Sequence, residues 1–169
     1  MAPAAMGRAI LPAVPDNRLV NERDEAFLRR AIELAARAGQ AGERPFGSLL
    51  VAADGTVLVE DHNTVNSERD ISAHPELKLA RWAARELTPD TAATVTMYTS
   101  CQPCGMCATA IETAGLGRVV FALSADQFFA LVPAGSARRP VRYDGPTLLA
   151  EASEPVRRHH PTFTESPAD

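Results

Sequence analysis

Two stretches organise this chain, SAHPE at residues 72–76 and TSCQPCGMC at residues 99–107. Together they supply three candidate zinc ligands and one carboxylate: His74, Cys104, Cys107 and Glu76. One imidazole and two thiolates leave a tetrahedral zinc ion one ligand short, and a catalytic zinc holds its water at that open position. The carboxylate of Glu76 can face this water without binding the metal. The pattern therefore predicts a catalytic zinc site in which Glu76 moves protons.

Two other interpretations of the cysteines stay open. A Cys-x-x-Cys pair can be a redox centre, although the upstream His-x-Glu and the lack of a thioredoxin-like context disfavour it. Alternatively, Cys101 can act as the fourth ligand of a structural zinc site, which would make the protein an interaction module without turnover. Pro103 interrupts the chain between Cys101 and Cys104 and places Cys101 at a strand end. Simultaneous ligation by all three cysteines would therefore be awkward.

Composition narrows the class of protein. A chain of 169 residues fits one domain with a proper hydrophobic core. The net charge of −4 argues against a partner held chiefly by phosphate contacts, so we expect no nucleic-acid partner. All three cysteines lie between positions 101 and 107, whereas a disulfide framework would spread them along the chain. Without a membrane-spanning run or a signal-peptide pattern, we expect a cytoplasmic protein that does not enter a membrane.

Hydrophobic periodicity and turn residues predict alternating helices and strands. We predict helices over residues 22–38, 74–87, 104–114, 124–131 and 147–152, and strands over residues 48–52, 56–60, 94–99 and 118–123. This order predicts a three-layer α/β domain whose sheet is covered by helices on both faces. We expect a flexible N-terminal arm at residues 1–20, the domain itself at 21–155 and a C-terminal tail at 156–169.

The two-part motif resembles the zinc-dependent cytidine/deoxycytidylate deaminase superfamily. The likeness runs from about Arg23 to Leu131. The segments at residues 45–47 and 62–65 are similar to those of the branch that contains guanine deaminase, fungal cytosine deaminase and tRNA adenosine deaminase. The resemblance implies a cytidine deaminase-like α/β/α sandwich with a central mixed sheet, one Zn²⁺ per chain and a homodimer.

The resemblance also implies residues that bind substrate. In this branch the asparagine at the position of Asn63 forms a hydrogen bond with the substrate ring, and the phenylalanine at Phe46 lies near the pocket. Asp126 stands where guanine-deaminase-like members carry an acidic residue, although the first turn of a solvated helix is the plainer interpretation. Pro75 is a further candidate, because the branch usually has Ala or Gly there, with an N–H that can bond a ring acceptor. Proline has no N–H.

These features together favour a hydrolase that deaminates a small amino-heterocycle. Gln102 departs from the branch as well, because it stands where Glu is frequent. The tRNA-editing members recognise a folded RNA and tend to offer basic surface, which fits an acidic chain less well. We therefore expect the substrate to be a small nucleobase, nucleoside or related heterocycle, with tRNA adenosine as the alternative.

Overall fold

The computed structural model describes residues 20–132 and 141–159. The chain divides into two compact units, Met1–Pro133 and Ala134–Asp169. The first unit contains four strands, β1 (Gly47–Val51), β2 (Val57–His62), β3 (Thr96–Cys101) and β4 (Arg118–Leu123). Its helices are α1 (Glu22–Gln40), α2 (Val65–Glu68), α3 (Pro75–Glu86), α4 (Pro89–Ala92), α5 (Gly105–Thr113) and α6 (Ala125–Leu131). The second unit contains α7 (Leu149–His159).

The four strands form one mixed sheet in the order β2-β1-β3-β4. Strand β1 runs antiparallel to both β2 and β3, and the β1–β2 hairpin turns through Asp54 and Gly55. Strands β3 and β4 are parallel, and α5 makes the crossover between them. The carboxyl end of β3 thus leads directly into the cysteine-bearing helix.

Helices cover both faces of the sheet, because alternate strand residues point to opposite sides. Leu50 and Met97 belong to a buried cluster with side chains of α3 and α5. Leu49 and Tyr98, their neighbours in sequence, belong to a second cluster with Ala31 of α1. The predicted three-layer α/β/α architecture with a mixed sheet is confirmed.

Gly47 sets how closely α1 approaches β1. A Cβ atom added to Gly47 would lie 2.6 Å from the carbonyl oxygen of Ala31, closer than van der Waals contact allows. The absence of a side chain therefore lets the helix pack directly on the first strand.

Two helices begin at residues whose side chains cap them. The Asn21 side chain accepts a hydrogen bond from the backbone N–H of Asp24, whose carboxylate accepts one from the N–H of Asn21. Ser124 and Gln127 make the same reciprocal capping box at the start of α6. These caps satisfy backbone donors that the first turn of a helix leaves unpaired.

Two short helices were not predicted, and the last helix is longer than predicted, whereas every other predicted bound lies within two residues of the observed one. Residues 65–68, between the second predicted strand and the second predicted helix, form α2, whose first N–H is held by Asn63. Pro89 follows α3 and begins α4, since proline is well suited to the first position of a helix. The last helix spans Leu149–His159 instead of residues 147–152, and Pro155 lies inside it.

Parts of the proposed domain division fall outside the described residues. The N-terminal arm lies there except for residue 20, and so do residues 160–169 of the C-terminal tail. The boundaries 1–20, 21–155 and 156–169 stay a prediction. Within the described ranges, no helix has the length and apolar character needed to cross a membrane.

Candidate active site

The first half of the site is the start of α3. His74 is the N-cap residue with extended backbone, and Pro75 follows as the first helical residue. The chain before His74 is fixed to the end of β2, because the N–H of Thr64 donates to the carbonyl of Ala73 at 3.1 Å. The half-buried imidazole is thereby held at the N-terminus of α3.

The second half of the site is the start of α5. Cys104 is its N-cap residue, and Cys107 lies in its first turn with no exposed surface. The two Sγ atoms are 3.6 Å apart. The Nδ1 atom of His74 lies 3.8 Å from Sγ of Cys104 and 3.5 Å from Sγ of Cys107. The three predicted ligands therefore come together as one compact cluster.

This cluster fits a zinc ion. Tetrahedral bonds of about 2.3 Å to sulfur and about 2.05 Å to nitrogen separate two sulfurs by roughly 3.8 Å and sulfur from nitrogen by roughly 3.6 Å. The observed separations of 3.5–3.8 Å match these values. The pKa of the Cys107 thiol is raised, mainly by burial and secondly by the charge of Glu76. A cation bound between the ligands would offset this effect.

Cys101 is not part of the cluster. It ends β3, as predicted, and is buried. Among the described residues, the group that could hold a metal consists of His74, Cys104 and Cys107. Burial raises the pKa of the Cys101 thiol. The structure therefore gives no support to a zinc site with three cysteine ligands.

Glu76 lies beside the cluster in the first turn of α3, with 5% of its surface exposed. Its Oε2 atom is 3.7 Å from Sγ of Cys107. Its Oε1 atom accepts a hydrogen bond of 2.8 Å from Oγ1 of Thr99 in β3. The two oxygens of one carboxylate therefore have different surroundings, one at the cluster and one at the sheet.

Asn63 has a buried donor with no hydrogen-bond partner. Its side chain has no exposed surface, and its Oδ1 accepts from the N–H of Val65 at 3.1 Å. Its backbone N–H donates to the carbonyl of Phe46 at 2.9 Å, so these two predicted substrate residues are adjacent. The Nδ2 group of Asn63 has no partner in the described residues. A buried amide left in this state costs about 1–3 kcal/mol, which a bound acceptor would recover.

The other predicted substrate residues lie in contrasting places. Phe46 packs against Phe128 of α6, with ring centroids 5.4 Å apart and the ring planes tilted by 57°. Pro75 is fully buried at the start of α3. Asp126 is exposed in the first turn of α6, and among the described residues no hydrogen bond or ion pair joins it to the metal cluster. Gln102 accepts a hydrogen bond of 3.0 Å from the N–H of Ala125, so its side chain helps to fix α6.

Comparison with known families decides the assignment. The profile of the cytidine and deoxycytidylate deaminase zinc-binding region matches residues 21–123, more than half of the chain. The chain belongs to this family. The match contains both halves of the metal cluster and all four strands of the sheet.

Individual relatives of this deaminase differ in their named substrates. The "Probable cytosine deaminase" of Schizosaccharomyces pombe is 31% identical over 140 residues, which are 81% of this chain and 83% of that protein. A tRNA-specific adenosine deaminase of Haemophilus influenzae is 35% identical over 104 residues, 62% of this chain and 60% of that enzyme. The X-ray structure of guanine deaminase from Bacillus subtilis is 28% identical with a TM-score of 0.66, over 88% of this chain and 99% of that chain. The family thus identifies a deaminase with a zinc-binding region without selecting one substrate.

Sequence reasoning missed the groups that hold the predicted site residues. The Thr99 hydroxyl donates to Glu76 and accepts from the Ser48 hydroxyl. Lys78 donates to the carbonyl of His62 at 2.8 Å and to Oγ1 of Thr64 at 3.1 Å. The sequence signal for the hydroxyls was the presence of polar residues within two largely buried strands. Such a residue needs a partner, because an unpaired buried hydroxyl is costly.

Proposed function

We propose that the protein is a zinc-dependent hydrolytic deaminase of a small amino-heterocycle, such as a free nucleobase or a nucleoside, and that it releases ammonia. The observation that carries this proposal is the position of Glu76. Its Oε2 lies 3.7 Å from Sγ of Cys107, yet Glu76 is not a member of the His74–Cys104–Cys107 group. A carboxylate beside a metal site, without being a ligand, is the arrangement that proton transfer in a zinc deaminase requires.

His74, Cys104 and Cys107 would hold the zinc. Bound zinc supplies Lewis acidity, which activates water for attack on a ring carbon that carries an amino group. Three protein ligands leave room for this chemistry, whereas four would close the site. The two cysteines also balance the charge of the divalent ion.

Glu76 then performs the proton transfers of the hydrolysis. Its Oε2 takes a proton from the attacking water and passes it to the neighbouring ring nitrogen. The second proton of that water reaches the amino group by the same oxygen, and ammonia leaves as the ring carbonyl forms. Water and the amino compound are consumed, the oxo compound and ammonia are produced, and Glu76 returns to its starting state.

Asn63, Phe46 and Pro75 would select the ring. The partnerless Nδ2 group of Asn63 offers a buried donor to a ring oxygen or nitrogen. Phe46 offers a half-buried aromatic ring, which packs at a tilt against Phe128. Pro75 offers no N–H at the helix start, so a substrate acceptor at that point would have no backbone donor to pair with.

The charge of the chain favours a small substrate over RNA. A net charge of −4 repels the phosphates of a folded RNA, and binding of RNA depends on clustered Lys and Arg. A neutral base carries no such penalty. The similarity to tRNA-specific adenosine deaminases nevertheless makes RNA the comparison to include in the test.

A substrate panel tests the proposal. Zinc-loaded protein is incubated with cytosine, guanine, adenine, their nucleosides, aminotriazines and a tRNA anticodon stem-loop that carries adenosine at the wobble position, and ammonia is measured. The control is Cys104→Ser, which removes a proposed ligand and leaves Glu76 in place. We expect ammonia from at least one free heterocycle with the zinc-loaded wild type alone. Ammonia from the stem-loop alone would overturn the substrate class, and none from any compound would overturn the catalytic proposal.

A further inference from the structure

Two buried hydroxyls face each other across the centre of the sheet. Ser48 of β1 and Thr99 of β3 are direct partners in the antiparallel register, and neither has exposed surface. They lie on the same side of their strands as Leu50 and Met97, whose cluster contains side chains of α3. The sheet surface beneath α3 is therefore apolar at Leu50 and Met97 and presents the two hydroxyls at the end next to Glu76.

The hydrogen bonds of this pair run in one direction. Oγ of Ser48 donates to Oγ1 of Thr99 at 2.8 Å. The hydroxyl proton of Thr99 must then point away from Ser48. Two acceptors lie within its reach, Oε1 of Glu76 at 2.8 Å and the carbonyl of Cys101 at 3.1 Å. The carboxylate is the nearer acceptor, and bonds to a charged oxygen are the stronger ones.

We propose that Thr99, oriented by Ser48, is a positioning residue that fixes Oε1 of Glu76 and leaves Oε2 as the oxygen that exchanges protons. This inference rests on the proposed function. Ser48 and Thr99 both lie in strands, which hold a side chain more firmly than a loop does. A carboxylate without this anchor would rotate about its last side-chain bond and present either oxygen to the substrate.

The kinetic test compares two substitutions of Thr99, one that removes the hydroxyl and one that keeps it. Thr99→Val keeps the shape and removes the donor, and Thr99→Ser keeps the donor and removes a methyl group. For Thr99→Val we expect kcat to fall about 30- to 100-fold at nearly constant KM, because misplaced catalytic groups cost rates of this order. For Thr99→Ser we expect kcat within about threefold of wild type, since the hydroxyl remains.

Ser48 is tested through its dependence on Thr99. Ser48→Ala should lower kcat about three- to tenfold, because Thr99 can then turn toward the carbonyl of Cys101. The double variant Ser48→Ala/Thr99→Val should be no slower than Thr99→Val alone, since Ser48 acts only through Thr99. The matched control is Ser100→Ala, a buried serine in the same strand whose Oγ accepts from the N–H of Gly47.

A second readout does not depend on turnover. The infrared carboxylate band of Glu76 is identified by its loss in Glu76→Gln and recorded in the zinc-loaded protein. We expect this band to shift in Thr99→Val and to stay in place in Thr99→Ser and Ser100→Ala. Zinc content, measured on each sample, should be unchanged, because neither hydroxyl touches the three ligands. Should wild type deaminate nothing, the proposed function fails while the band still tests the anchor.

Each result decides the inference. An unchanged kcat in Thr99→Val, or a higher KM at unchanged kcat, overturns it, and so does a failure of Thr99→Ser to restore the rate. If Thr99→Val does not fold, Ser48→Ala is the deciding variant. A kcat for Ser48→Ala equal to that of wild type then overturns the proposal that Ser48 orients Thr99. An unshifted Glu76 band in Thr99→Val overturns the anchor itself.

Discussion

Asp24 of α1 and Arg118 of β4 form a two-pronged ion pair, with nitrogen–oxygen distances of 2.8 and 3.0 Å. The hydroxyl of Tyr98 donates to the same carboxylate at 2.6 Å. The Asp24 side chain is 3% exposed and the Arg118 side chain 40%. The pair therefore fastens the first helix to the last strand of the sheet. The two residues are 94 positions apart in sequence, so no local sequence pattern could predict their contact.

The Asp24 pair predicts how folding stability depends on pH. The pKa of Asp24 is far below the ordinary value of 3.8, and the largest cause is the hydrogen bond that Arg118 donates to the carboxylate. A carboxyl whose pKa is lower in the folded state stabilises the fold fully above its unfolded pKa, and this contribution is lost as pH falls below it. Asp24→Asn should lower the free energy of unfolding by about 2–3 kcal/mol at neutral pH. Urea unfolding should show this difference shrinking below about pH 4.

The control for this prediction is Glu25→Gln on the same helix. Glu25 pairs with Arg29 at 2.7 Å, and both side chains are more than half exposed. Such surface pairs contribute about 0–1 kcal/mol. A loss in Asp24→Asn no larger than in Glu25→Gln would mean that the pair does not fasten the helix.

Zinc binding should distinguish Cys104 from Cys101. Cys104→Ser should abolish stoichiometric zinc, because its Sγ is 3.6 Å from Sγ of Cys107 and 3.8 Å from Nδ1 of His74. Cys101→Ser, the matched control, should retain one zinc per chain. Elemental analysis after dialysis measures the metal, and circular dichroism checks the fold. Equal zinc loss in the two variants would favour a structural site with three cysteine ligands.

Pro75→Ala should widen the range of substrates. The substitution adds an N–H at the buried first position of α3, beside His74. A hydrogen bond to a buried substrate acceptor is worth about 1–3 kcal/mol, or roughly ten- to a hundredfold in binding. We expect kcat/KM to rise for ordinary bases such as cytosine or guanine, measured at matched zinc content with thermal stability recorded in parallel. Coincident substrate profiles for the two proteins would show that Pro75 only begins the helix.

The homodimer expected from the family resemblance is tested by sedimentation. Apolar side chains at the outer strand and the following helix are exposed, among them Phe121, Phe129 and Leu131. Exposed apolar groups of this kind favour association. Sedimentation at micromolar concentration should give twice the chain mass of 18.1 kDa. A monomer at every concentration of a dilution series would contradict this prediction.

The sequence was informative wherever a local pattern carried the signal. The helix after Asn21, the four strands and the His-x-Glu and Cys-x-x-Cys halves were all readable from spacing, capping residues and β-branched content. The short helices α2 and α4 were not, because four residues are too few to show a helical period. Sheet order, likewise, depends on pairing between distant strands.

Contacts between distant residues were the part of the site that no local pattern predicted. The Thr99 hydroxyl reaches Glu76, and the Ser48 hydroxyl reaches Thr99, only after β1, β3 and α3 pack together. The Nδ2 group of Asn63, which has no partner among the described residues, is likewise visible only once its surroundings are known, since an asparagine near a strand end is usually solvated. The residues proposed to do the chemistry could thus be named from sequence, and those that hold them in place could not.

The most direct test of the account is the turnover of Glu76→Gln at matched zinc content. The substitution keeps the size of the side chain beside Thr99 and Cys107 but replaces the proton-accepting carboxylate with a neutral amide. Ammonia release from the best substrate of the panel is measured for both proteins. The account predicts that kcat falls about 10²- to 10⁴-fold. Equal rates in Glu76→Gln and wild type would contradict it.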